Sequence, residues 1–389
     1  MPPIILPGAT IGILGGGQLG RMTAMAARTL GYDVHVLDPD PECPARAVVD
    51  RLVTARFDDA EAAADLAQNC DVVTLEIEQI ATASLDAALR HAPVRPSSRL
   101  LGVIQDRARQ KRWLTGAGFP VGPYDDVLDA DGVKRAAGRL GALVVKATHG
   151  GYDGRSQVRV SGMDDAVAAW ASLVGPSGAT RQAVAEQALD LESELSVMIA
   201  RAPNGSVAVY PPALNYHERQ VLSWSVIPAP LPPDLVRRAA ELARGIAGAI
   251  GLEGLLAVEM FLTTRGELFV NELAPRPHNS FHETELACPT SQFEQLVRAV
   301  CNLPLGDTSI VRPAAIVNLF GELWSNGSAP RFDAALAEPM TRLHLYGKRV
   351  ARPGRKMGHI SAYGDTPDDA LARARAAAAR LTNGAGGAR

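Results

Sequence analysis

The chain opens on an apolar run, residues 10–14, that ends in Gly15-Gly16-Gly17-Gln18-Leu19-Gly20, and residues 21–30 then carry helical composition and spacing. This pattern predicts a strand, a tight turn and a helix. A second apolar run, residues 33–37, stops at Asp38-Pro39-Asp40-Pro41, and a third, residues 71–75, stops at Glu76-Ile77-Glu78. Strands alternating with helices predict a parallel, doubly wound sheet. Ligands bind outside the C-terminal ends of such strands, which marks Gln18, Asp38, Glu76 and Glu78.

The alternation breaks near residues 93–96, and a boundary is expected near Ser97. A polar helix over residues 106–114 follows, leading to a Gly/Pro turn at 116–120. Residues 143–146 and 157–160 read as strands flanking the glycine-rich turn 150–154, with a helix and a strand at 183–186 beyond them. This predicts a small α+β lobe with a mobile hairpin. A helix over 234–250 precedes strands at 255–262 and 267–272, joined by a four-residue turn that brings Glu259 and Glu272 together. Further strands are expected at 314–319 and 341–346, then a basic turn from Gly347 to His359 and a helix over 368–381. The last residues, 382–389, are too small and polar to offset the entropy of ordering and are expected to fray.

Composition narrows the function classes. Of 389 residues, 39 are Lys or Arg and 42 are Asp or Glu, a net charge of −3. No global positive field collects nucleic acid or an anionic membrane, so a phosphate-bearing ligand needs a local site. The four cysteines lack metal-type spacing and no apolar run is long enough to cross a bilayer, so a soluble protein of the reducing cytoplasm is expected.

The Gly15-x-Gly17-x-x-Gly20 turn with Asp38 ending the next strand fits a dinucleotide fingerprint. Physically it presents backbone N–H groups at a helix N-terminus, so a dinucleotide, another ligand or tight packing alone would satisfy it. Glu259 and Glu272, on facing strands, would repel unless a hard cation such as Mg2+ bridged them to phosphates, with Asn271 as a further oxygen ligand. Solvated glutamates on a hairpin are the alternative. Pro275 and Pro277 hold the following loop rigid, presenting Arg276, His278 and Asn279 in a defined geometry. Arg276 suits a developing phosphoryl or carboxyl charge, and His278 a hydrogen bond or a proton. Lys146, ending a strand before the glycine-rich lid, suits a triphosphate. Lys111 is a further candidate cation, a surface lysine being the alternative. Tyr152 and Asp153, at the lid tip, suit a second substrate. Lys348, Arg355 and Lys356 form a local anion site or a solvated basic loop.

Several motifs together resemble the N5-carboxyaminoimidazole ribonucleotide synthetase family of the ATP-grasp superfamily. They are GILGGGQLGRM (12–22), KATHGGYDGRSQ (146–157), EQALDLESELSV (186–197), NELAPRPHNS (271–280), TSQFEQLVRAVCNLPLG (290–306), and YGK with GRKMGHI farther on. The resemblance implies an α/β and α+β chain with an ATP-grasp fold. A pre-ATP-grasp parallel-sheet domain would span 1–97. A lobe pair would span 98–306, with its mobile lobe near 116–188, and a small β-rich domain 307–389. It implies that Gln18, Leu19, Glu76, Tyr152, Asp153, Arg276, His278 and Asn279 contact aminoimidazole ribonucleotide, with Tyr152, Asp153, Arg276 and His278 catalytic. Lys348, Arg355 and Lys356 would hold its 5′-phosphate. Lys111, Lys146, Gly151 and Gly154 would meet ATP phosphates, Glu186, Gln187 and Leu189 the adenine, and Glu194 the ribose. Glu259 and Glu272, beside Asn271, would hold Mg2+, with Mn2+ as a substitute.

The implied reaction is attack of bicarbonate on ATP, giving carboxyphosphate, then carboxylation of the ribonucleotide amine by a cytoplasmic homodimer in purine biosynthesis. The chain departs from the family pattern at Phe281, at Leu214-Asn215-Tyr216-His217 and at Ala147-Thr148-His149. Another ATP-grasp ligase, such as a formate-dependent transformylase, an NAD oxidoreductase and an inactive binding protein are the alternatives.

Overall fold

The computed structural model describes residues 2–149, 156–174, 182–324 and 329–382. The expected lid turn 150–154, with Gly151, Tyr152, Asp153 and Gly154, lies outside the described residues, as does the expected tail 382–389 beyond residue 382.

The N-terminal strands form a parallel sheet in the order Arg51–Thr54, Asp33–Asp38, Thr10–Leu14, Val72–Leu75. Alternation along Thr10–Leu14 covers both faces: Ile11 and Ile13 enter one apolar cluster, Leu14 another. The strand Arg51–Thr54 was not anticipated, because its four residues have little apolar signal. The helix after the glycines starts at Gln18 rather than residue 21, directly from the extended Gly17. Gly15 takes a φ of +104°, and a Cβ on Gly20 would lie 2.4 Å from the Gly15 carbonyl oxygen. Glycine is therefore required at both positions, for conformation at one and for close approach at the other.

Among the described residues, a second sheet, of nine strands, forms the body. Its main path runs Leu268–Ala274, Gly254–Thr263, Leu191–Arg201, Ala213–Glu218, Val221–Ile227, Ala314–Phe320, Lys356–Tyr363, Thr341–Leu345. The antiparallel strands between residues 191 and 227 were missed in the sequence, and they link the halves of this sheet. The C-terminal strands are consequently hydrogen-bonded into the body through Val221–Ile227 and Ala314–Phe320. Lys356, expected in the basic turn, is the first residue of a strand.

The third sheet, ordered Tyr124–Val127, Ala183–Gln187, Leu143–Ala147, Gln157–Val160, is antiparallel and packs on the helices Ala130–Leu140 and Ala166–Val174. One apolar cluster joins the N-terminal sheet to the body, with Ile11, Val34 and Val36 sharing a core with Met198, Leu255 and Leu296.

Gly20→Ala drives a methyl group into a backbone oxygen that cannot rotate away. We expect a loss of about 1–3 kcal/mol, read as a lower urea midpoint with the m-value unchanged.

Candidate functional site

The expected hairpin forms, with Glu259 opposite Glu272. Immediately beyond, Met260 pairs with Val270, so Asn271 is the extra residue of a bulge. Adjacent residues on a regular strand point to opposite faces; here the bulge lets both Asn271 and Glu272 line one cavity with Glu259.

That cavity holds about 720 Å³, within the range of small-molecule sites. The body contributes Glu194, His217, Glu259, Asn271 and Glu272; the small lobe contributes Lys146, Glu186, Gln187 and Leu189. Gln18, Leu19 and Glu78 enter from the N-terminal domain, Arg276, His278 and Asn279 from the proline-flanked loop, and Lys356 from the C-terminal strand.

The loop is held rigidly. Gln292 accepts from the His278 backbone N–H at 2.8 Å and donates to the His278 carbonyl at 2.9 Å. Arg276 is 7% exposed and pairs with Glu78 at 2.8 Å. Asn318 donates to the Asn279 side-chain oxygen at 2.5 Å, which fixes the orientation of the buried Asn279 amide. His278 Nε2 lies 3.1 Å from Glu259 Oε1.

Lys146 lies 3.1 Å from both Glu186 Oε2 and Asn271 Oδ1, joining lobe to body. Lys111 reaches the same Glu186 oxygen at 3.3 Å but does not line the cavity. It is 3% exposed and sits behind the site, which corrects the expectation that it meets phosphate directly. One turn earlier on the same helix, Arg107 does line the cavity, 2.6 Å from Glu272. Sequence reasoning missed Arg107 because its helix carries Arg107, Arg109, Lys111 and Arg112, and periodicity does not show which turn reaches a ligand. His217, 2.9 Å from Glu194, was also missed, although the motif around it had been noted.

Glu76 is likewise relocated. Its carboxylate accepts from the Gly17 N–H at 2.7 Å and the Gly20 N–H at 2.9 Å, while Asp38 takes the Gly16 N–H at 2.7 Å. Glu76 does not line the cavity. The chain's own carboxylates thus occupy the N–H groups that a dinucleotide pyrophosphate would need, which removes the structural basis for the dinucleotide reading.

The basic C-terminal residues divide. Lys348 and Arg355 line a neighbouring cavity of about 300 Å³ with Arg349 and Arg352, opposite Asp40 and Glu42, whereas Lys356 faces the main cavity. Lys348 bridges them, donating to Gln18 Oε1 and to the Lys356 carbonyl, both at 2.7 Å.

The charges follow from burial. Burial alone would raise the Glu186 carboxyl, but Lys146 and Lys111 outweigh it and hold it down at about 2. Burial would likewise raise Glu259, yet the His278 hydrogen bond and charge bring it down to about 2. For Glu76 burial prevails over its two backbone donors, pushing the carboxyl up to about 7. Glu259, Asn271 and Glu272 offer only oxygen donors, and their basic neighbours, His278, Lys146 and Arg107, stand beside them without filling the cavity. This donor set fits a hard divalent cation.

Away from the cavity, Glu285, His344 and His359 also approach one another. The rings of His344 and His359 stack at 4.4 Å and 9°, so their in-plane lone pairs run parallel rather than converging on an ion.

Glu186→Gln strips two buried ammonium groups of their counter-charge, and we expect a loss of about 3–5 kcal/mol. The lowered Glu186 pKa means that its contribution is full above about pH 4.5 and disappears as pH falls through about 2. The stability gap between wild type and variant, read by thermal melting, should therefore narrow with acid below pH 4.5.

Three family models match the chain: the ribonucleotide synthetase preATP-grasp domain at residues 8–105, the ATP-grasp domain at 112–293, and the phosphoribosylaminoimidazole carboxylase C-terminal domain at 314–373. The N5-carboxyaminoimidazole ribonucleotide synthase of Bacillus subtilis is 41% identical over 92% of each chain. Its counterpart from Brucella melitensis is 39% identical over 91% of this chain and 96% of its own. Among solved structures, an N5-carboxyaminoimidazole ribonucleotide synthetase in complex with ADP superposes with a TM-score of 0.90 at 40% identity, covering 97% of this chain and 98% of its own. The Aspergillus clavatus enzyme, in complex with ADP and 5-aminoimidazole ribonucleotide, gives 0.87 at 31% identity over 96% and 98%. With its fold, its cavity and these relatives in agreement, the chain belongs to the N5-carboxyaminoimidazole ribonucleotide synthetase family of ATP-grasp enzymes.

Proposed function

We propose that this protein uses ATP and bicarbonate to carboxylate the amine of 5-aminoimidazole ribonucleotide, giving N5-carboxyaminoimidazole ribonucleotide for purine synthesis. One observation carries the reading: a single cavity combines the oxygen-donor set Glu259, Asn271 and Glu272 and the cations Lys146 and Arg107 with a second polar wall of Gln18, Arg276, His278 and Asn279. A nucleotide and a second anionic substrate therefore share one space.

Lys146 and Arg107 bind the ATP phosphates, and Glu186, Gln187, Leu189, Glu194 and His217 seat the nucleoside. Glu259, Asn271 and Glu272 would hold Mg2+, or Mn2+ in its place, which would neutralise phosphate charge. Bicarbonate attacks the γ-phosphorus and ADP leaves, giving carboxyphosphate. That anhydride breaks down to phosphate and carbon dioxide, which the ribonucleotide amine captures as a carbamate. Arg276 stabilises the carboxyl and phosphoryl charge, while Asn279 and His278 orient the substrates; catalysis is mainly positioning and charge neutralisation. Leu19 packs beside the ribonucleotide. Lys348, Arg355 and Lys356 hold its 5′-phosphate where the two cavities meet, and Glu76 supports the site by shaping the glycine turn. Tyr152, Asp153, Gly151 and Gly154, outside the described residues, complete the lid in this reading. The proposal extends to three domains, 1–97, 98–306 and 307–389, and to a cytoplasmic homodimer.

Purified protein should release phosphate from ATP only when bicarbonate and aminoimidazole ribonucleotide are both present, in a coupled phosphate assay. Absence of stimulation by the ribonucleotide would overturn the reading. Glu272→Gln should abolish turnover while leaving ribonucleotide affinity, measured by calorimetry, nearly intact. Retained turnover would remove Glu272 from the metal site.

A further inference from the structure

The smaller cavity, of about 300 Å³, is walled by two domains. Lys348, Arg349, Arg352 and Arg355 come from the C-terminal turn, and Asp40 and Glu42 from the turn that follows the strand Asp33–Asp38. A basic turn alone would hold any phosphate and would favour the ligand with the most negative charge. Beside it, the main cavity takes a triphosphate in the reading given above. The ribonucleotide end therefore needs something that keeps polyphosphates out.

The acidic wall is braced. Pro39 and Pro41 fix the backbone on either side of Asp40. The Asp40 N–H donates to Asp38 Oδ1 at 2.8 Å, and the Glu42 N–H donates to Asp40 Oδ1 at 2.9 Å. Asp38 Oδ2 accepts from the Gly16 N–H, which ties the acidic turn to the glycine turn that precedes Gln18. Two contacts then join the walls: Glu42 Oε2 pairs with Arg349, and Lys348 donates to Gln18. On the far side, Arg355 Nη1 donates to the Val350 carbonyl at 2.8 Å and closes the basic turn on itself. Glu42 Oε1 also pairs with Arg46, so ordinary surface charge pairing is the competing use of this acid.

Four cations and two carboxylates leave the cavity with two net positive charges. A phosphomonoester carries about two negative charges at neutral pH and matches them. A second or third phosphate exceeds that match and sets its oxygens against Asp40 and Glu42, where like charges are strongly disfavoured.

We propose that Asp40 and Glu42 determine specificity at the ribonucleotide end: they limit the charge of the phosphate pocket so that it accepts a 5′-monophosphate and rejects polyphosphates, ATP among them. The inference rests on the ribonucleotide reading given above.

Ribose 5-phosphate and inorganic tripolyphosphate, used as inhibitors competing with the ribonucleotide at saturating ATP and constant free Mg2+, test this on the full-length enzyme. In the wild type, ribose 5-phosphate should compete better than tripolyphosphate. Asp40→Asn with Glu42→Gln keeps the shapes of both side chains, and Asn can still accept the Glu42 N–H. This double variant should tighten tripolyphosphate by about ten- to a hundred-fold and ribose 5-phosphate by no more than about threefold. Asp40→Asn alone leaves both Glu42 ion pairs in place and should still tighten tripolyphosphate by at least about threefold, which surface pairing would not produce; it carries the test if the double variant does not fold by circular dichroism. Equal tightening of the two anions, no tightening, or tripolyphosphate already the better competitor in the wild type overturns the proposal. Calorimetric titration of the same two anions into protein filled with a non-hydrolysable ATP analogue reads the same ratios without turnover. The expected ratios in a protein that shows no ribonucleotide-dependent phosphate release support the charge wall and reject the reaction.

Discussion

The contact on which the site depends is the buried bridge from Lys146 to Glu186 and Asn271. Lys146 and Glu186 sit on neighbouring strands of the small lobe, whereas Asn271 belongs to the edge strand of the body. One ammonium group therefore fixes the lobe against the body and leaves a cation beside the oxygen donors. In a low-dielectric setting, removing either partner would strand the other. Lys111 provides a second ammonium at the same carboxylate, so Glu186 remains ionised even though it is buried.

The same economy of charge recurs around the cavity. Glu272 meets Arg107, Glu78 meets Arg276, and Glu259 meets His278. Each of these acidic groups has a basic neighbour, and two of the pairs, Glu272 with Arg107 and Glu78 with Arg276, join segments distant in sequence. A hard cation and anionic substrates can enter such a site by exchanging partners rather than by creating new buried charge, which limits the desolvation cost of binding. The bulge at Asn271 is the backbone device behind this pattern. Without it, Asn271 and Glu272 would point to opposite faces, and Lys146 could not reach Asn271 while Glu272 faced the cavity.

The sequence made most of the local structure legible, because apolar runs and proline–glycine punctuation mark short strands and turns directly. The hairpin that pairs Glu259 with Glu272 follows from two apolar strands and a four-residue turn. What was hidden depends on non-local geometry. Lys111 and Arg107 share a helix face, and the tertiary contact with Glu186 decides that Lys111 lies behind the cavity. The strands from 191 to 227 were overlooked because their polar residues, including Ser196, Asn215 and Ser225, interrupt apolar alternation. Those interruptions form an internal hydrogen-bond line. Glu76 was legible as a polar group at a strand end, but only the fold shows it turned back onto the glycine turn.

Two of the departures from the family pattern, at Phe281 and at Leu214, have a physical reading. Phe281 is fully buried, with its ring 6.1 Å from that of Tyr210, so it fills core volume rather than projecting into the cavity. It follows Ser280 directly and anchors the turn that holds Ser280 and Glu283 against the sheet. Leu214 packs into the apolar clusters on the opposite face from Asn215, whose side chain remains in the hydrogen-bond line. These two departures change packing on apolar faces and leave the polar neighbours in place. A bulky residue beside the catalytic loop is therefore compatible with the site because strand alternation and the short 279–281 turn separate what packs from what binds.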